Sequence, residues 1–110
     1  ILEEVERLRR EELEFLKRDA KLVPNNASVH SQLGLSLYVH GHKEEAEAAL
    51  RKACELAPRD PYFPYQLAIY YRDTKRPAEA LTWARKAVEL RPDGSGYLQL
   101  LRELQQGGQP

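Results

Sequence analysis

Two histidines that flank a glycine are the residues of this sequence with the clearest potential for chemistry. His40 and His42 stand on either side of Gly41, and Glu44 and Glu45 follow closely. Imidazole and carboxylate groups are common ligands of transition metals, but a protein site normally supplies three or four of them at suitable spacing. No third ligand has that spacing here. The pattern therefore favours a polar turn between helices, with weak metal binding as the alternative.

Other reactive groups in the sequence are sparse. The single cysteine, Cys54, cannot form an internal disulfide, and its place beside Ala53 and Leu56 favours a small buried packing residue on a helix. The sequence contains no glycine-rich phosphate loop, serine nucleophile elbow, paired catalytic carboxylates or CxxC motif. We therefore expect neither an enzyme nor a bound cofactor. A lone thiol is compatible with both the cytoplasm and the periplasm, so the sequence does not determine the cellular compartment.

Composition and charge predict a soluble globular domain. The chain has 110 residues, of which 42% are hydrophobic and 31% are charged. Its 17 basic and 17 acidic residues cancel, and both signs are mixed within each predicted helix, so no basic stripe is available to neutralise a phosphate backbone. No apolar run approaches the roughly 18 residues that a membrane-spanning helix needs. We expect no nucleic-acid partner and no membrane insertion.

Two stretches of the chain repeat each other at a spacing of 34 residues. The first consists of Glu45, Ala46, Arg51, Lys52, Ala53, Glu55, Leu56 and Pro58, which recur as Glu79, Ala80, Arg85, Lys86, Ala87, Glu89, Leu90 and Pro92. A period of this length is typical of a stacked helical solenoid. Because such stacks present a concave surface to their partners, the repeat favours binding over catalysis.

Hydrophobic periodicity and turn residues predict six helices and no strand, and hence an all-α fold. The predicted helices are residues 1–22, a second helix that is capped at Asn26 or Ser28 and reaches Val39, then 43–57, 61–73, 77–91 and 95–106. In the last helix Tyr97, Leu98, Leu101 and Leu104 are expected to face inward. Its outer face is polar, as a terminal capping helix requires.

The repeated residues identify a resemblance to the tetratricopeptide repeat (TPR) family, whose unit is a pair of antiparallel helices called A and B. Consensus positions are held by Leu33, Gly34, Leu37, Gly41, Ala46, Leu50, Ala53 and Pro58, and then by Leu67, Ala68, Tyr71, Ala80, Ala84, Ala87 and Pro92. Lys75 replaces the turn glycine of the second unit. The resemblance implies a right-handed superhelix of antiparallel helix pairs.

The resemblance also implies a layout along the chain. We expect a long N-terminal helix over residues 1–23, whose second half resembles helix B of a truncated unit, full repeats at 27–60 and 61–94, a capping helix at 95–106 and a flexible tail at 107–110. The chain begins at Ile1, lacks methionine and ends in a glycine-containing tail, which suggests a segment cut from a longer protein.

In this family the A helices line a concave groove, and transfer of those positions predicts a peptide-binding surface. Its expected residues are Ser31, Leu35, Tyr38, Tyr62, Tyr65, Gln66, Ile69 and Arg72, with Gln99 and Glu103 extending the row. The family's best-known groove grips a terminal carboxylate with lysine, asparagine and arginine, but Ser31, Leu35, Tyr65 and Ile69 stand at those places. We therefore expect a protein or peptide partner with apolar or aromatic side chains, and Arg72 available for one acidic group. The alternative is that the tyrosines only pack against neighbouring helices.

The first eight residues extend beyond a repeat helix by about 12 Å, at 1.5 Å per residue. Their apolar side chains, Ile1, Leu2, Val5 and Leu8, lack an internal partner. They could pack on another part of a longer protein, mediate self-association, or fray as an exposed end. A structural homo-oligomerisation element is accordingly the alternative to a peptide-binding module.

Overall fold

The computed structural model describes residues 1–107, which contain six helices and no strand. The helices are α1 (Leu2–Leu22), α2 (Ala27–Val39), α3 (Lys43–Leu56), α4 (Tyr62–Asp73), α5 (Pro77–Leu90) and α6 (Ser95–Gly107). Every predicted helix is present, with its ends within one residue of the expected ones. Gly107, predicted to begin the tail, is the last residue of α6, and residues 108–110 of that predicted tail lie outside the described range.

Capping side chains start two of the helices as the sequence predicts. The Asn26 side chain accepts a hydrogen bond from the backbone N–H of Val29 (3.1 Å), which selects Asn26 over Ser28 as the cap of α2. The Asp60 carboxylate accepts one from the N–H of Tyr62 (3.0 Å) at the start of α4. These bonds satisfy amide groups that have no partner within the first helical turn.

Contacts divide the chain into two compact units, Ile1–Leu56 and Ala57–Pro110. In the first unit α2 packs against both α1 and α3, and in the second α5 packs against both α4 and α6. The chain's one tryptophan, Trp83, belongs to α5 in the second unit. Each unit therefore has its own helix-pair core.

A glycine brings α2 and α3 together in the first unit. A side-chain carbon at Gly34 would lie 2.8 Å from Cγ of Leu50 and 3.1 Å from the carbonyl oxygen of Ala46, both closer than ordinary van der Waals contact. Ala46 and Ala53 on α3 are completely buried. The predicted close approach of small residues is therefore confirmed, and it allows Leu50 to fill the space between the helices.

The second unit repeats this arrangement with alanine at the contact. Ala68, Ala80 and Ala87 are completely buried where α4 and α5 pack. Tyr71, at the position that Leu37 holds in the first unit, is also completely buried, and the guanidinium of Arg76 lies 4.7 Å from its ring centroid. The predicted core role of Tyr70 and Tyr71 is confirmed.

The burial pattern of α6 agrees with the predicted inward position of Leu104 and adds Leu100 to the buried residues. Leu100 is only 4% exposed, although it was not among the predicted inward residues, and Leu104 is buried beside it one turn later. Tyr97, Leu98 and Leu101 are only half-buried. Leu98 and Leu101 hold positions that a following B helix covers in the complete units, and within residues 1–107 no helix follows α6.

Candidate binding surfaces

The predicted groove residues of the second unit share one face of α4. Tyr62, Tyr65, Ile69 and Arg72 recur every three or four positions, which places them in a row along the helix. Tyr62 and Arg72 are exposed, whereas Tyr65 and Ile69 are half-buried. The side-chain amide of Gln66 donates a hydrogen bond to the hydroxyl of Tyr62 (2.9 Å) and holds that ring at the surface.

Side chains of α6 extend this row. The rings of Tyr65 and Tyr97 meet edge to face, with centroids 5.0 Å apart and planes at 63°. Further along, the Arg72 guanidinium lies 4.0 Å from a carboxylate oxygen of Glu103. We call the set the α4–α6 surface; it consists of Tyr62, Tyr65, Gln66, Ile69, Arg72, Asp73, Tyr97, Gln99 and Glu103. The sequence predicts an inward position for Tyr97, whereas the structure places it half-buried against Tyr65; only its aromatic type indicates a surface role.

The charges of the α4–α6 surface differ from the expectation that Arg72 is available to an acidic ligand group. Nε of Arg72 donates to the carboxylate of Asp73 (3.1 Å), and the same guanidinium approaches Glu103. The side-chain amide of Gln99 donates to Glu103 (3.2 Å). Since two carboxylates share one guanidinium, the cluster has a net charge of minus one and attracts a cation more readily than an anion.

The first unit presents a smaller surface on α2. Leu35 and Val39 are exposed and Tyr38 is half-buried. A cavity of about 290 Å³ lies between α1 and α2; its lining residues are Arg9, Glu12, Gln32, Leu35, Ser36, Val39 and His40. Ser31, predicted to line the groove, is only 3% exposed. It lies one turn before Gly34 on the packed side of α2, so it is inaccessible to a partner in the described structure.

The apolar residues at the start of α1 are exposed, as their lack of an internal partner predicts. These are Ile1, Leu2, Val5 and Leu8. Exposure continues along the helix to Phe15 (57%) and Leu22 (71%), whereas Leu13 and Leu16 are buried. One face of α1 is therefore packed in the first unit and an adjacent apolar face is open.

The histidines and the cysteine lie where they serve the structure of the helices and turns. Nδ1 of His40 donates a hydrogen bond to the carbonyl oxygen of Ser36 (2.8 Å), which ties the ring to the end of α2. His40 and His42 line a shallow cavity of about 720 Å³ beside α1. Within residues 1–107 no group of three histidine, cysteine, aspartate or glutamate side chains is placed to hold a metal ion. Burial raises the pKa of the Cys54 thiol to about 11, so the thiol is neutral at physiological pH and poorly nucleophilic.

A family model decides what these helix pairs are. The model described as tetratricopeptide repeat matches residues 13–61 and again residues 31–95. The chain belongs to the tetratricopeptide repeat family. TPR proteins generally act in protein–protein interaction and not in catalysis. No curated protein sequence matches the chain.

Solved structures, including two described as TPR proteins, resemble most of the chain. TTC0263, a thermophilic TPR protein of Thermus thermophilus, is 28% identical with a TM-score of 0.87, and the match covers 94% of this chain and 53% of that one. MamA is 22% identical with a TM-score of 0.80, covering 91% and 58%. The first TPR of Spaghetti (RPAP3), bound to the HSP90 peptide SRMEEVD, is 15% identical with a TM-score of 0.78, covering 93% and 81%.

These likenesses confirm the predicted all-α TPR fold of helix pairs. The chain spans about half the length of TTC0263 and of MamA. In the part of the chain that the structure describes, no helix is long and apolar enough to cross a membrane.

Proposed function

We propose that this TPR chain is a protein-interaction module that binds a peptide segment on its α4–α6 surface. The observation that supports this most directly is the row of Tyr62, Tyr65 and Ile69, extended by the edge-to-face contact of Tyr65 with Tyr97. Tyrosine supplies a large contact area at a small cost in conformational entropy and is enriched at binding surfaces. The polar groups of Gln66 and Gln99 at the margin would fix the register of the bound segment.

The charge of the surface specifies the ligand further. Aromatic and aliphatic side chains of the ligand would pack against the tyrosines, and a lysine or arginine would approach the carboxylates of Asp73 and Glu103. The peptide bound to the TPR of Spaghetti, SRMEEVD, is rich in acidic residues. An equally acidic peptide would find only Arg72 here, already paired with two carboxylates. We therefore propose a different ligand class, an apolar or aromatic segment with one basic residue.

The first unit would offer a second, separate contact through Leu35, Tyr38 and Val39 on α2. These residues flank the cavity between α1 and α2, where Glu12 and Arg9 add a polar margin. We leave Ser31 out because it is buried. Each unit is proposed as a binding surface in its own right.

We also propose that the chain has no catalytic activity of its own. The support comes from its residues: the one thiol has a pKa raised to about 11, and the histidines serve in turns and helix ends. Neither arrangement supplies an activated nucleophile.

Peptide-display selection against the purified chain, followed by calorimetry with a selected peptide, tests the proposal. Tyr65→Glu and Ile69→Glu should each weaken binding at least tenfold, since each places a charge in the apolar row. Phe15→Glu is the matched control, because it makes the same change on α1 in the other unit. Unaltered binding by both α4 variants, with melting temperatures like that of the wild type, would refute the α4–α6 surface.

The second candidate function is self-association through the start of α1. The exposed side chains of Ile1, Leu2, Val5 and Leu8 favour it. Light scattering would then show a mass that rises with concentration and falls in Val5→Glu and Leu8→Glu. A constant monomeric mass would exclude this candidate and leave the peptide-binding proposal untouched.

A further inference from the structure

The turn between α5 and α6 contains the one aspartate–glycine pair of the chain, Asp93–Gly94. An aspartate side chain can close a five-membered ring onto the backbone nitrogen of the next residue, and glycine hinders this closure least because it has no Cβ atom. Asp93 is exposed, and its carboxylate makes no hydrogen bond or ion pair to any residue in 1–107. The two reacting groups are therefore adjacent, and the carboxylate is not held in another contact.

The other three aspartates of the chain are in different environments. Asp19 lies inside α1, and Asp73 ends α4 with its carboxylate paired to the preceding arginine. Backbone nitrogens inside a helix are tied into the helical hydrogen bonds. The Asp60 carboxylate caps α4, and the next residue, Pro61, has no N–H to lose. Asp93 is therefore the aspartate best placed for ring closure.

The packing of Tyr97 favours glycine in this pair. A side-chain carbon at Gly94 would lie 2.5 Å from Cδ2 and 3.0 Å from Cε2 of the Tyr97 ring, so any other residue would displace the ring. In the preceding repeats this position holds Asn26 and Asp60, whose side chains cap α2 and α4. At the start of α6 the tyrosine ring takes the place of a capping side chain, and the acidic residue stands directly before the glycine.

The backbone nitrogen of Gly94 is restrained less than a helical one. Its N–H donates to the carbonyl oxygen of Arg91 at 3.2 Å, which is the long end of the ordinary range for N–H···O bonds. Exposed turns open locally at a lower cost in free energy than packed helices. Opening of this bond frees the nitrogen to approach the Asp93 side chain.

We propose that Asp93 converts to isoaspartate in the folded chain and that this conversion separates Tyr97 from Tyr65. The nitrogen of Gly94 attacks Cγ of the Asp93 carboxylic acid, and the hydroxyl leaves with the amide proton as water. Water then opens the succinimide ring. Hydrolysis at the Cγ carbonyl regenerates aspartate, whereas hydrolysis at the main-chain carbonyl routes the backbone through the side chain as isoaspartate. Nothing is oxidised or reduced, and water is the only co-reactant.

Isoaspartate adds one carbon to the main chain directly before α6. The carbonyl of Gly94 accepts a hydrogen bond from the N–H of Leu98 (3.0 Å) in the first turn of that helix. Gly94 also lies against the ring of Tyr97, whose centroid is 5.0 Å from that of Tyr65. The longer backbone shifts Gly94 relative to both groups, so it weakens the first turn and moves Tyr97 on the α4–α6 surface. The effect on peptide binding rests on the proposed function, whereas the conversion itself does not.

Incubation of the purified chain for weeks at neutral pH and physiological temperature, followed by peptide mapping, tests the conversion. The tryptic peptide 87–102 should split with time into two species of equal mass. Only the newer species should be methylated by an isoaspartate-specific methyltransferase. Peptides that contain Asp19 or Asp73, taken from a chymotryptic digest, should stay single. Asp93→Glu is the matched control, because it keeps the charge but would have to close a less favourable six-membered ring.

Chromatographic separation of the isomerised chain allows a direct comparison with the unmodified one. Hydrogen exchange of the Leu98 amide, followed by NMR, should be faster in the isomerised chain because its acceptor on Gly94 has moved. The affinity for a selected peptide should fall about twofold to tenfold, which corresponds to the loss of one aromatic contact.

A chain that forms isoaspartate at Asp93 only when urea unfolds it would overturn the proposal, because the native turn would then protect the residue. Equal splitting in Asp93→Glu would also overturn it, since the new species would arise at a different residue. Unchanged exchange of Leu98 after conversion would refute the link to Tyr97. A wild-type chain that binds no selected peptide would instead refute the proposed function, and the mapping and exchange measurements would still decide this inference.

Discussion

Gly41 and Lys75 hold the same turn position in successive helix pairs, and both have a left-handed backbone. Their φ angles are 84° and 61°. The N–H of Gly41 donates to Tyr38 (3.0 Å) and that of Lys75 to Arg72 (3.1 Å), while the N–H groups of the following residues reach back to Leu37 and Tyr71. The second turn thus reproduces the first without a glycine, although this conformation is costly for a residue with a Cβ atom.

Lys75→Gly should therefore stabilise the chain. Glycine removes about 1 kcal/mol of strain from the folded state, but it also gives the unfolded chain more conformational entropy. Because the first effect is larger, the free energy of unfolding should rise by about 0.5 kcal/mol. Gly41→Lys should do the opposite and cost about 1 kcal/mol. Urea unfolding of both variants beside the wild type measures the effect, and a lower midpoint for Lys75→Gly would contradict it.

The contact of Gly34 with Leu50 makes a second prediction. Gly34→Ala should lower the unfolding free energy by about 1 to 3 kcal/mol, because the new methyl group overlaps Leu50 and the Ala46 carbonyl. Gly96→Ala is the matched control on a helix surface, where no atom lies within 4 Å of the added carbon. That variant should gain up to about 1 kcal/mol from helix propensity. Equal effects of the two substitutions in thermal unfolding would be inconsistent with the close packing.

The orientation of α6 is tested by neighbouring leucines. Leu100→Ala should cost about 2 to 4 kcal/mol, since it removes most of a buried side chain. Leu101→Ala should cost about 1 kcal/mol, because that side chain is half-exposed. Differential scanning calorimetry of both variants beside the wild type, at one low protein concentration, measures the losses. A larger loss at Leu101 would show that Leu101 contributes more than Leu100 to the packing of α6.

The buried thiol of Cys54 predicts how the stability of the fold depends on pH. Burial raises the pKa of its thiol from an ordinary value of 9.0 to about 11, so the folded state favours the neutral form. That contribution to stability is fully present below pH 9 and is lost as pH rises from about 9 to about 11. The thiol should react slowly with a disulfide reagent at about pH 8 and quickly once urea unfolds the chain. Rapid labelling of the folded chain under the same conditions would show that the thiol is accessible.

The helices could be predicted from the sequence because proline, glycine and asparagine mark their ends. Asn26 and Asp60 make the capping bonds expected of them. The repeat register also located the close contact of Gly34 with Ala46, since that contact needs small residues. These features depend on local chemistry or on a single pair of neighbouring helices.

The errors concern residues whose environment depends on a third element or on another side chain. Ser31 is polar yet buried, because the packed side of α2 continues one turn before Gly34. In α6 Leu104 is buried as the sequence predicts, whereas Tyr97, Leu98 and Leu101 are only half-buried. Leu98 and Leu101 have no B helix to cover them within residues 1–107. The pairing of Arg72 with Asp73 and Glu103 depends on how α4 and α6 come together, which residue types do not reveal.

The position of Trp83 gives the molecule a built-in optical reporter. Because the only indole belongs to the second compact unit, its fluorescence follows the melting of that half, while far-ultraviolet circular dichroism follows every helix. In repeat proteins, stability is a sum of unit and neighbour terms. The difference between the unfolding midpoint from tryptophan fluorescence and the midpoint from circular dichroism would therefore measure how cooperatively the two units unfold, without an added dye.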